Sequence, residues 1–299
     1  MGLIEKASGG VDDPFGALGE PLPEEKPAAA APQFDLDFAS LAAQGFYNPG
    51  DRSSRLSLEL RAIKRGLLRR LGLRNASGEK RMIRKGGRQR NLVMVTSTRP
   101  GEGKTFCSIN LALSLACEEE MEVLLVDADT PRPKVRAHFD LLASKGLTDR
   151  LLDPTLSAAA LSLKARQAPL SVLPEGSPVP RAADLFGSSE AQRLFNELSL
   201  RRAGRLVIVD APPVLATTEA VMLARHVDEV IFVVEADATP EAGVSAALDE
   251  LLDANPNVSL LLNRCLIGPG GAYYGSYGDY GRSQDDTSTG GAGSAPSEQ

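Results

Sequence analysis

The sequence predicts an α/β fold, with a mostly parallel sheet covered by helices on both faces, and three observations support this. Short apolar runs rich in Val, Ile and Leu alternate with helical patterns from Asn91 to Asn263. Near-continuous apolar strands of this kind are typical of a parallel sheet buried on both faces. A glycine-rich segment, RPGEGKT at residues 99–105, follows the first run. Acidic residues end several other runs, at the sheet edge where ligands bind in such folds.

Composition and charge exclude several classes of protein. The chain has 299 residues, of which 42% are apolar and 24% charged, as in ordinary globular proteins. Its net charge of -6 argues against a dedicated nucleic-acid binder. Cys107, Cys117 and Cys265 lack metal-like spacing and fit a reducing cytosol. No apolar run approaches the ~20 residues that span a bilayer. We expect a cytoplasmic protein that reaches the inner face of the membrane only through a partner or its basic residues.

The first 90 residues divide into an acidic part and a basic part. Residues 1–55 are rich in Pro and Ala and carry nine acidic and four basic side chains, and we expect them to be largely disordered. Residues 61–90 carry twelve Lys or Arg and one acid. Leucine and isoleucine at helical spacing predict an amphipathic helix over 56–72, within a helix-and-linker segment 56–90. Its basic face is either solvated or a docking surface for acidic lipid headgroups or an acidic partner segment.

We assign residues 91–268 to one domain, and its elements follow in regular order. Strands are predicted at 92–96, 123–126, 170–173, 206–209, 230–234 and 258–262. Helices are predicted at 106–117, 188–200, 217–226 and 239–254. The last helix has the clearest start signal, with Thr239 as N-cap, Pro240 as first helical residue and Glu241 in the first turn.

The glycine-rich segment lies between a predicted strand and a predicted helix, which is the context that gives a Walker A match its meaning. Glycines let the backbone wrap closely around phosphate oxygens, and the helix N-terminus supplies partial positive charge. Lys104 is expected to reach the β- and γ-phosphates, and the Thr105 hydroxyl to bind Mg²⁺. Thr98 replaces the usual first glycine, so the loop is a deviant one. The expected nucleotide contacts of the loop are Pro100, Gly101, Glu102, Gly103, Lys104, Thr105 and Phe106.

Acids at strand ends supply the other groups that phosphoryl transfer needs. Asp127 and Asp129 follow one strand, and Asp210 ends another in the form of a Walker B aspartate. A single such Asp is often only a turn former or helix cap, but three beside a phosphate-binding loop are strong evidence. Thr105, Asp127 and Asp210 are the expected metal ligands. Either Asp127 or Asp129 orients or deprotonates the attacking hydroxyl, together with Lys104 as the third catalytic residue.

The end of the last strand and the C-terminal tail carry further candidates. Asn263 and Arg264 lie where related ATPases read the adenine edge, with a simple turn as the alternative. Residues 269–299 are rich in Gly, Ser and Tyr, and we expect a flexible tail. Four tyrosines within eight residues of this tail are candidate phosphate acceptors: Tyr273, Tyr274, Tyr277 and Tyr280. The alternative is a low-complexity tail with no acceptor role.

The motifs STRPGEGKT, LLVDADTPRP and VIVDAPPVLATTEA, with the tyrosine-rich tail, resemble the bacterial tyrosine kinases (BY-kinases) that control polysaccharide synthesis and export. These kinases are P-loop NTPases of the deviant-Walker (Min/Par-like) superfamily. The segments MGLIEKA, LELRAIKRGLL and NLVMVTSTRPGEGKTFCSINLALSLA are most similar to the exosortase-associated (PEP-CTERM locus) tyrosine autokinases.

The resemblance implies ATP and Mg²⁺ as cofactors, and autophosphorylation of the tail tyrosines of a neighbouring subunit in a ring-like homo-oligomer. It also implies an activating membrane partner, a polysaccharide co-polymerase of the chain-length-determinant type, and a protein-tyrosine phosphatase. Lys104 and Thr105 match the Walker A pair, Asp127 and Asp129 the Walker A′ aspartates, and Asp210 Walker B. The family's Glu-x-x-Arg-x-x-Arg contact helix is only approximated, since Leu58 stands at the position of the Glu.

Two other functions are compatible with the same fold. A partitioning ATPase of the Min/Par type would carry a signature lysine five residues before the Walker A lysine, where this chain has Arg99. A non-catalytic scaffold, whose ATP binding gates assembly of an export complex, would share the same binding residues.

Overall fold

A computed structural model gives the structure of the chain and describes residues 31–74, 90–200 and 204–265. The strands of this part of the chain are β1 (Gln33–Phe34), β2 (Leu92–Ser97), β3 (Glu122–Asp127), β4 (Leu163–Ala165), β5 (Leu170–Leu173), β6 (Arg205–Asp210), β7 (Glu229–Glu235) and β8 (Val258–Asn263). They form one sheet in the order β1-β4-β5-β3-β6-β2-β7-β8. Every neighbouring pair is parallel except β4 and β5, so the predicted mostly parallel sheet is confirmed.

The helices of the described residues cover both faces of this sheet. They are α1 (Phe38–Ala43), α2 (Arg55–Arg70), α3 (Lys104–Ala116), α4 (Val135–His138), α5 (Leu147–Leu152), α6 (Ala158–Leu161), α7 (Ala182–Phe186), α8 (Ser189–Leu200), α9 (Glu219–Ala224) and α10 (Glu241–Ala254). None of these helices has both the length and the apolar character that a membrane crossing requires.

The sheet separates two apolar cores, because successive side chains of a strand point to opposite faces. Along β2, Val93 and Val95 pack into the core beneath α2 and α3. The alternating residues Leu92 and Met94 pack into the core beneath α8, α9 and α10. All four side chains are fully buried. This two-sided burial is the reason that the strands read as continuous apolar runs.

The prediction that residues 1–55 are largely disordered is wrong for residues 33–55. Strand β1 pairs with β4, and α1 is capped by Asp37, whose carboxylate accepts hydrogen bonds from the amides of Ala39 and Ser40. Apolar side chains of this segment are buried in the same core as α3, namely Phe34, Leu36, Leu41, Phe46 and Tyr47. The Pro/Ala-rich stretch that precedes them dominated the composition and hid these positions. Residues 1–30 lie outside the described part of the chain.

The amphipathic helix predicted for residues 56–72 is confirmed as α2. Leu60, Leu67 and Leu68 are buried against α3, so α2 belongs to the same packed unit as the domain predicted to begin at residue 91. Lys64 does not belong to the basic outer face. Its ammonium donates to the Ser114 carbonyl at 3.0 Å and pairs with Glu118 at 2.6 Å. Residues 75–89, most of the predicted basic linker, lie outside the described residues.

The start of α10 differs by one residue from the prediction. Pro240 is the N-cap and Glu241 the first helical residue, where Thr239 and Pro240 were expected. The Thr239 hydroxyl accepts from the Glu235 amide at 3.1 Å and donates to the Glu102 carboxylate at 2.7 Å. Its hydrogen bonds therefore run to β7 and to the glycine-rich loop instead of to the helix.

Candidate active site

The glycine-rich loop and the three predicted aspartates meet at the carboxyl edge of the sheet. The loop follows β2, and β6 lies between β2 and β3. Asp127 and Asp210, the last residues of β3 and β6, are register partners, and Val95 of β2 is the next partner of Asp210. The sheet order therefore brings together residues that are up to 106 positions apart, between Lys104 and Asp210.

Two glycines give the loop its shape. Gly101 and Gly103 have φ of +98° and +95°, in the left-handed region that side chains disfavour. A Cβ at Gly103 would also collide with the side-chain amide of Asn263. The chain then enters α3 at Lys104, and the amides of the first helical turn have no partner within the helix. This arrangement presents backbone N–H groups to an anion, as in a phosphate-binding loop.

Lys104 is buried among the three aspartates. It forms an ion pair with Asp129 and a hydrogen bond of 3.4 Å with the Thr105 hydroxyl. Burial opposes the charged ammonium, but the charges of Asp210, Asp129 and Asp127 outweigh it and raise the pKa of Lys104. The lysine is therefore held as a cation beside the helix N-terminus, and a phosphate group entering the loop competes with Asp129 for it.

In the described structure, one carboxylate oxygen of Asp210 accepts a hydrogen bond and the other does not. Its Oδ1 accepts from the Ser108 hydroxyl at 3.0 Å. Its Oδ2 is buried and has no hydrogen-bond partner in the described residues, although Thr105 lies close enough to lower its pKa. Burial nevertheless leaves the pKa of Asp210 raised, against the effect of Lys104. A buried carboxylate oxygen without a donor is the arrangement expected where a cation completes the site.

The few protein oxygens around Asp210 suit Mg²⁺, which needs only one or two protein ligands, better than a metal ion whose ligands all come from the protein. Within residues 31–74, 90–200 and 204–265, no group of three or more His, Cys, Asp or Glu converges on one point. Mg²⁺ usually takes one or two protein oxygens and completes its shell with substrate phosphates and water. Thr105 Oγ1 and Asp210 Oδ2 are oxygens of this kind beside the loop.

Asp127 shapes the chain that follows β3. Its Oδ2 accepts from the amides of Lys134 and Val135 at 3.2 and 3.0 Å, and its Oδ1 accepts from the Asp129 amide at 3.2 Å. Burial, followed by the neighbouring charge of Asp210, raises its pKa well above the ordinary value. The structure thus places Asp127 beside Asp210, as expected, but both of its oxygens accept from backbone amides.

Asp129 is oriented by two contacts. One oxygen pairs with Lys104, and the other accepts from the Arg132 amide at 3.3 Å. The side chain is buried. Asp129 is thus the aspartate that contacts the loop lysine directly, whereas Asp127 contacts backbone amides of the segment that follows β3.

Two predicted nucleotide contacts turn their side chains away from the loop surface. The Glu102 carboxylate is buried and accepts from the Arg99 amide at 2.9 Å and from the Thr239 hydroxyl at 2.7 Å. The Phe106 ring packs against Phe46, with ring centroids 5.2 Å apart. Only the backbone of Glu102 and Phe106 is therefore left to face a nucleotide, whereas Pro100 and Gly101 are exposed on the loop.

Asn263 and Arg264, at the end of β8, contact different parts of the site. The Asn263 amide donates to the Glu102 carbonyl at 2.9 Å and lies against Gly103, so it supports the loop directly. Arg264 has a φ of +58° and its guanidinium pairs with Glu235 at 2.6 Å on the rim. The structure thus brings Asn263 to the loop and leaves Arg264 more exposed. The four candidate acceptor tyrosines lie outside the described residues.

Several polar residues of this edge were missed in the sequence. Ser108 follows Lys104 by one helical turn, and that spacing was the available signal. Glu219, the first residue of α9, accepts from the Thr130 hydroxyl at 3.2 Å, and no sequence pattern indicated this pair. Buried side-chain atoms with no hydrogen-bond partner in the described chain also gather after these strands: Thr98 Oγ1, Glu175 Oε2, Asp210 Oδ2 and Thr217 Oγ1. They are groups that a ligand can satisfy.

Comparison with known proteins gives relatives that match about two thirds of the chain. The chain matches no protein-family model. Tyrosine-protein kinase YwqD of Bacillus subtilis (strain 168) is 33% identical to it over 194 residues, which cover 65% of this chain and 79% of that protein. Tyrosine-protein kinase CpsD of Streptococcus agalactiae is 27% identical over 198 residues, covering 66% of this chain and 84% of that protein.

Solved structures agree with these sequence relatives. The VpsO kinase domain is 29% identical, with a TM-score of 0.55, and the match covers 71% of this chain and 100% of that chain. The kinase domain of the Escherichia coli tyrosine kinase ETK is 22% identical, with a TM-score of 0.59, over 78% of this chain and 84% of that chain. The likeness to ETK shows the fold alone.

Proposed function

The chain belongs to the bacterial tyrosine-protein kinases, and we propose that it transfers the γ-phosphoryl group of ATP to tyrosines of its own tail. The acceptors are Tyr273, Tyr274, Tyr277 and Tyr280 of a neighbouring subunit in a homo-oligomer. One observation carries the proposal: the loop lysine, Lys104, sits at a helix N-terminus in contact with Asp129 and close to the charges of Asp127 and Asp210. A tyrosine cluster on the same chain supplies acceptors for that site.

The loop residues bind and orient the nucleotide. The amides of Gly101 to Thr105 surround the phosphates, and Lys104 leaves Asp129 to neutralise charge that develops on the leaving group. Thr105 and Asp210 would hold Mg²⁺, which supplies further neutralisation of phosphate charge when bound. Asp127 keeps the chain after β3 in place through its amide contacts. Asn263 supports the loop from behind, and Arg264 flanks the adenine side on the rim.

The biological setting follows from the family resemblance and is part of the proposal. The kinase regulates polysaccharide synthesis or export, at the inner face of the membrane, together with an activating co-polymerase of the chain-length-determinant type. A protein-tyrosine phosphatase reverses the modification. Similarity of the segments around Met1 and Leu58 to exosortase-associated autokinases supports that subtype.

The test is a phosphorylation assay on the purified full-length chain with ATP and Mg²⁺, read by peptide mass spectrometry. We expect phosphate on the tail tyrosines of the wild type and none in Lys104→Met. Lys145→Met is the matched control, since Lys145 is exposed and distant in sequence from the loop, and it should behave as wild type. ATP hydrolysis with no phosphotyrosine, even with the cytoplasmic segment of the co-polymerase added, would favour a partitioning-type ATPase instead.

The direction of transfer is tested by mixing two full-length variants. One carries Phe at all four tail tyrosines and keeps its active site, and the other is Lys104→Met with its tyrosines intact. Phosphate on the Lys104→Met chain shows transfer between subunits. If neither the mixture nor the Lys104→Met chain alone is modified while the wild type is, transfer occurs within one chain.

A further inference from the structure

Glu219 lies at the same edge of the sheet as the aspartates. It joins the segment that follows β6 to the segment that follows β3. It is the first residue of α9, in the segment that follows Asp210 of β6. Its Oε2 accepts from the hydroxyl of Thr130, which follows Asp129 directly, at 3.2 Å. The side chain is only 9% exposed. Glu219 is therefore a buried carboxylate held by a single hydroxyl, whereas Asp127 accepts from several backbone amides and Asp129 pairs with Lys104.

The three aspartates of the site each have another task. Asp127 accepts from three backbone amides, and Asp129 accepts from the Arg132 amide and, until Lys104 turns to a nucleotide, pairs with Lys104. Asp210 presents its unsatisfied oxygen next to Thr105, where a cation fits. In the described part of the chain, the one hydrogen-bond partner of Glu219 is the Thr130 hydroxyl, and its carboxylate contacts neither Lys104 nor a backbone amide.

The surroundings of Glu219 favour uptake of a proton. Burial and the neighbouring charge of Asp129 raise the pKa of Glu219, and the Thr130 hydrogen bond opposes them. In the structure Lys104 compensates the Asp129 charge. When Lys104 turns to the phosphates of a nucleotide, that compensation weakens, so the Asp129 charge acts more strongly on Glu219.

The adjoining surface suits an aromatic side chain. Leu215 lies between Asp210 and Glu219 in the sequence and is 42% exposed, so it presents apolar surface to solvent. Its amide donates to the Thr98 carbonyl at 3.3 Å, so this loop is fixed next to the glycine-rich loop. An exposed apolar side chain four residues before a carboxylate, in the same segment, offers a phenol both a packing surface for its ring and an acceptor for its hydroxyl.

We propose that the Glu219 carboxylate accepts the phenolic proton of the acceptor tyrosine, with Thr130 as the residue that positions it; this rests on the proposed autokinase function. The tyrosine oxygen forms a bond to the γ-phosphorus as the bond from that phosphorus to the β–γ bridging oxygen breaks. The phenolic proton passes to Glu219, and ADP leaves with the bridging oxygen. Glu219 returns the proton to solvent after the product departs.

The test compares Glu219→Gln with Glu219→Asp and with Glu241→Gln. Glu241 is also the first residue of a helix, α10, and is exposed, so its variant controls for loss of a negative charge at a helix N-terminus. General-base contributions are typically 10²–10⁴-fold, so we expect kcat for tail phosphorylation to fall on the order of 10²-fold in Glu219→Gln. Glu219→Asp should retain part of the activity, and Glu241→Gln all of it.

Two readouts separate proton transfer from a structural role. The affinity of Glu219→Gln for a fluorescent ATP analogue should stay within about twofold of wild type, so that the loss falls on kcat. Thr130→Val removes the hydrogen bond that lowers the pKa of Glu219, so the acidic limb of its pH–rate profile should move to higher pH. That limb should be absent from Glu219→Gln.

The outcome is decisive in each direction. Wild-type kcat in Glu219→Gln, or pH–rate profiles of Glu219→Gln and Thr130→Val that coincide with wild type, would overturn the assignment. If thermal denaturation shows that Glu219→Gln does not fold, Glu219→Asp and Thr130→Val still test the assignment. Their readouts are kcat and the acidic limb of the pH–rate profile. A wild-type chain that binds ATP but forms no phosphotyrosine would contradict the proposed autokinase function itself, and is thereby distinguished from failure of the Glu219 role.

Discussion

The Glu102 carboxylate accepts a hydrogen bond of 2.7 Å from the Thr239 hydroxyl, which ties the phosphate-binding loop to the short segment between β7 and α10. Glu102 is buried, and its second oxygen accepts from the Arg99 amide within the loop. This hydrogen bond thus fixes the loop to the segment that follows β7. Its conformation depends on residues more than 130 positions later in the chain.

Removing this tie should weaken nucleotide binding. Hydrogen bonds to charged groups contribute about 1.5–3 kcal/mol, so Thr239→Val should lower nucleotide affinity roughly tenfold by loosening the loop. Thr239→Ser keeps the hydroxyl and should bind like wild type. Titration with a fluorescent ATP analogue measures both. Equal affinity in the Val and Ser variants would show that the tie does not organise the loop.

Phe46 should contribute strongly to stability. It is 5% exposed, lies 5.2 Å from the Phe106 ring and contacts the His138 ring edge-on at 5.0 Å between centroids. Phe46→Ala should lower the free energy of unfolding by about 3–5 kcal/mol, measured by urea denaturation. Leu142→Ala, at a position 86% exposed, is the control and should change it by less than about 0.5 kcal/mol. Similar small effects in both would mean that residues 33–55 are not packed in solution.

Cys107 should resist alkylation in the folded protein. Burial, with a smaller effect of the Asp210 charge, raises the pKa of its thiol to about 12. At pH 8 its thiolate fraction is then roughly a thousandfold below that of an ordinary cysteine. Cys117 is exposed and should react first with iodoacetamide. Peptide mass spectrometry of a time course, with a urea-unfolded sample for comparison, gives the order. Labelling of Cys107 before Cys117 in the folded chain would refute this.

Stability should fall in mild acid partly because of His226. Its ring stacks on Phe195 at 5.3 Å, and its Nε2 donates to the Phe186 carbonyl at 2.7 Å. Burial lowers the pKa of His226 below its ordinary 6.5, so the unfolded chain binds the proton more readily than the folded one. Folding stability is therefore lost as pH falls through and below 6.5.

The corresponding measurement is the free energy of unfolding at pH 7.5 and pH 5.5. The difference between the two values should be smaller in His226→Gln than in wild type, since Gln does not titrate. Buried carboxylates with raised pKa values contribute with the opposite sign, but they are present in both chains and cancel in the comparison. An unchanged difference would exclude His226 as a source of the acid sensitivity.

The central part of the fold was predictable because its signals are local. Each of the strands from β2 to β8, except β4, is a run of four to seven residues whose own apolar side chains mark it. The loop around Lys104 was recognisable for the same reason, as a fixed spacing between a strand and a helix. The parallel sheet predicted that Asp127 and Asp210 lie at the same edge, and the position of β3 next to β6 makes them neighbours.

The parts that were missed depend on distant partners. Strand β1 has two residues and β4 three, too few for a periodic pattern, and each is stabilised by pairing across more than 120 residues. The inward direction of the Glu102 side chain is set by Thr239, and the position of the Phe106 ring by Phe46. Glu219 joins the site only because α9 starts next to the loop that contains Thr130.

The pairing of Gln33 with Lys164 also affects the order of events during synthesis of the chain. The partner of β1 leaves the ribosome 131 residues after β1 itself. At 5–20 residues per second, that interval is roughly 10 s. Until then Phe34, Leu36 and Phe46 have no completed core to enter. A translational pause before β4 is made would therefore leave these side chains open to chaperones, and the core that they share is complete only after Ile231 and Val233 of β7 have followed.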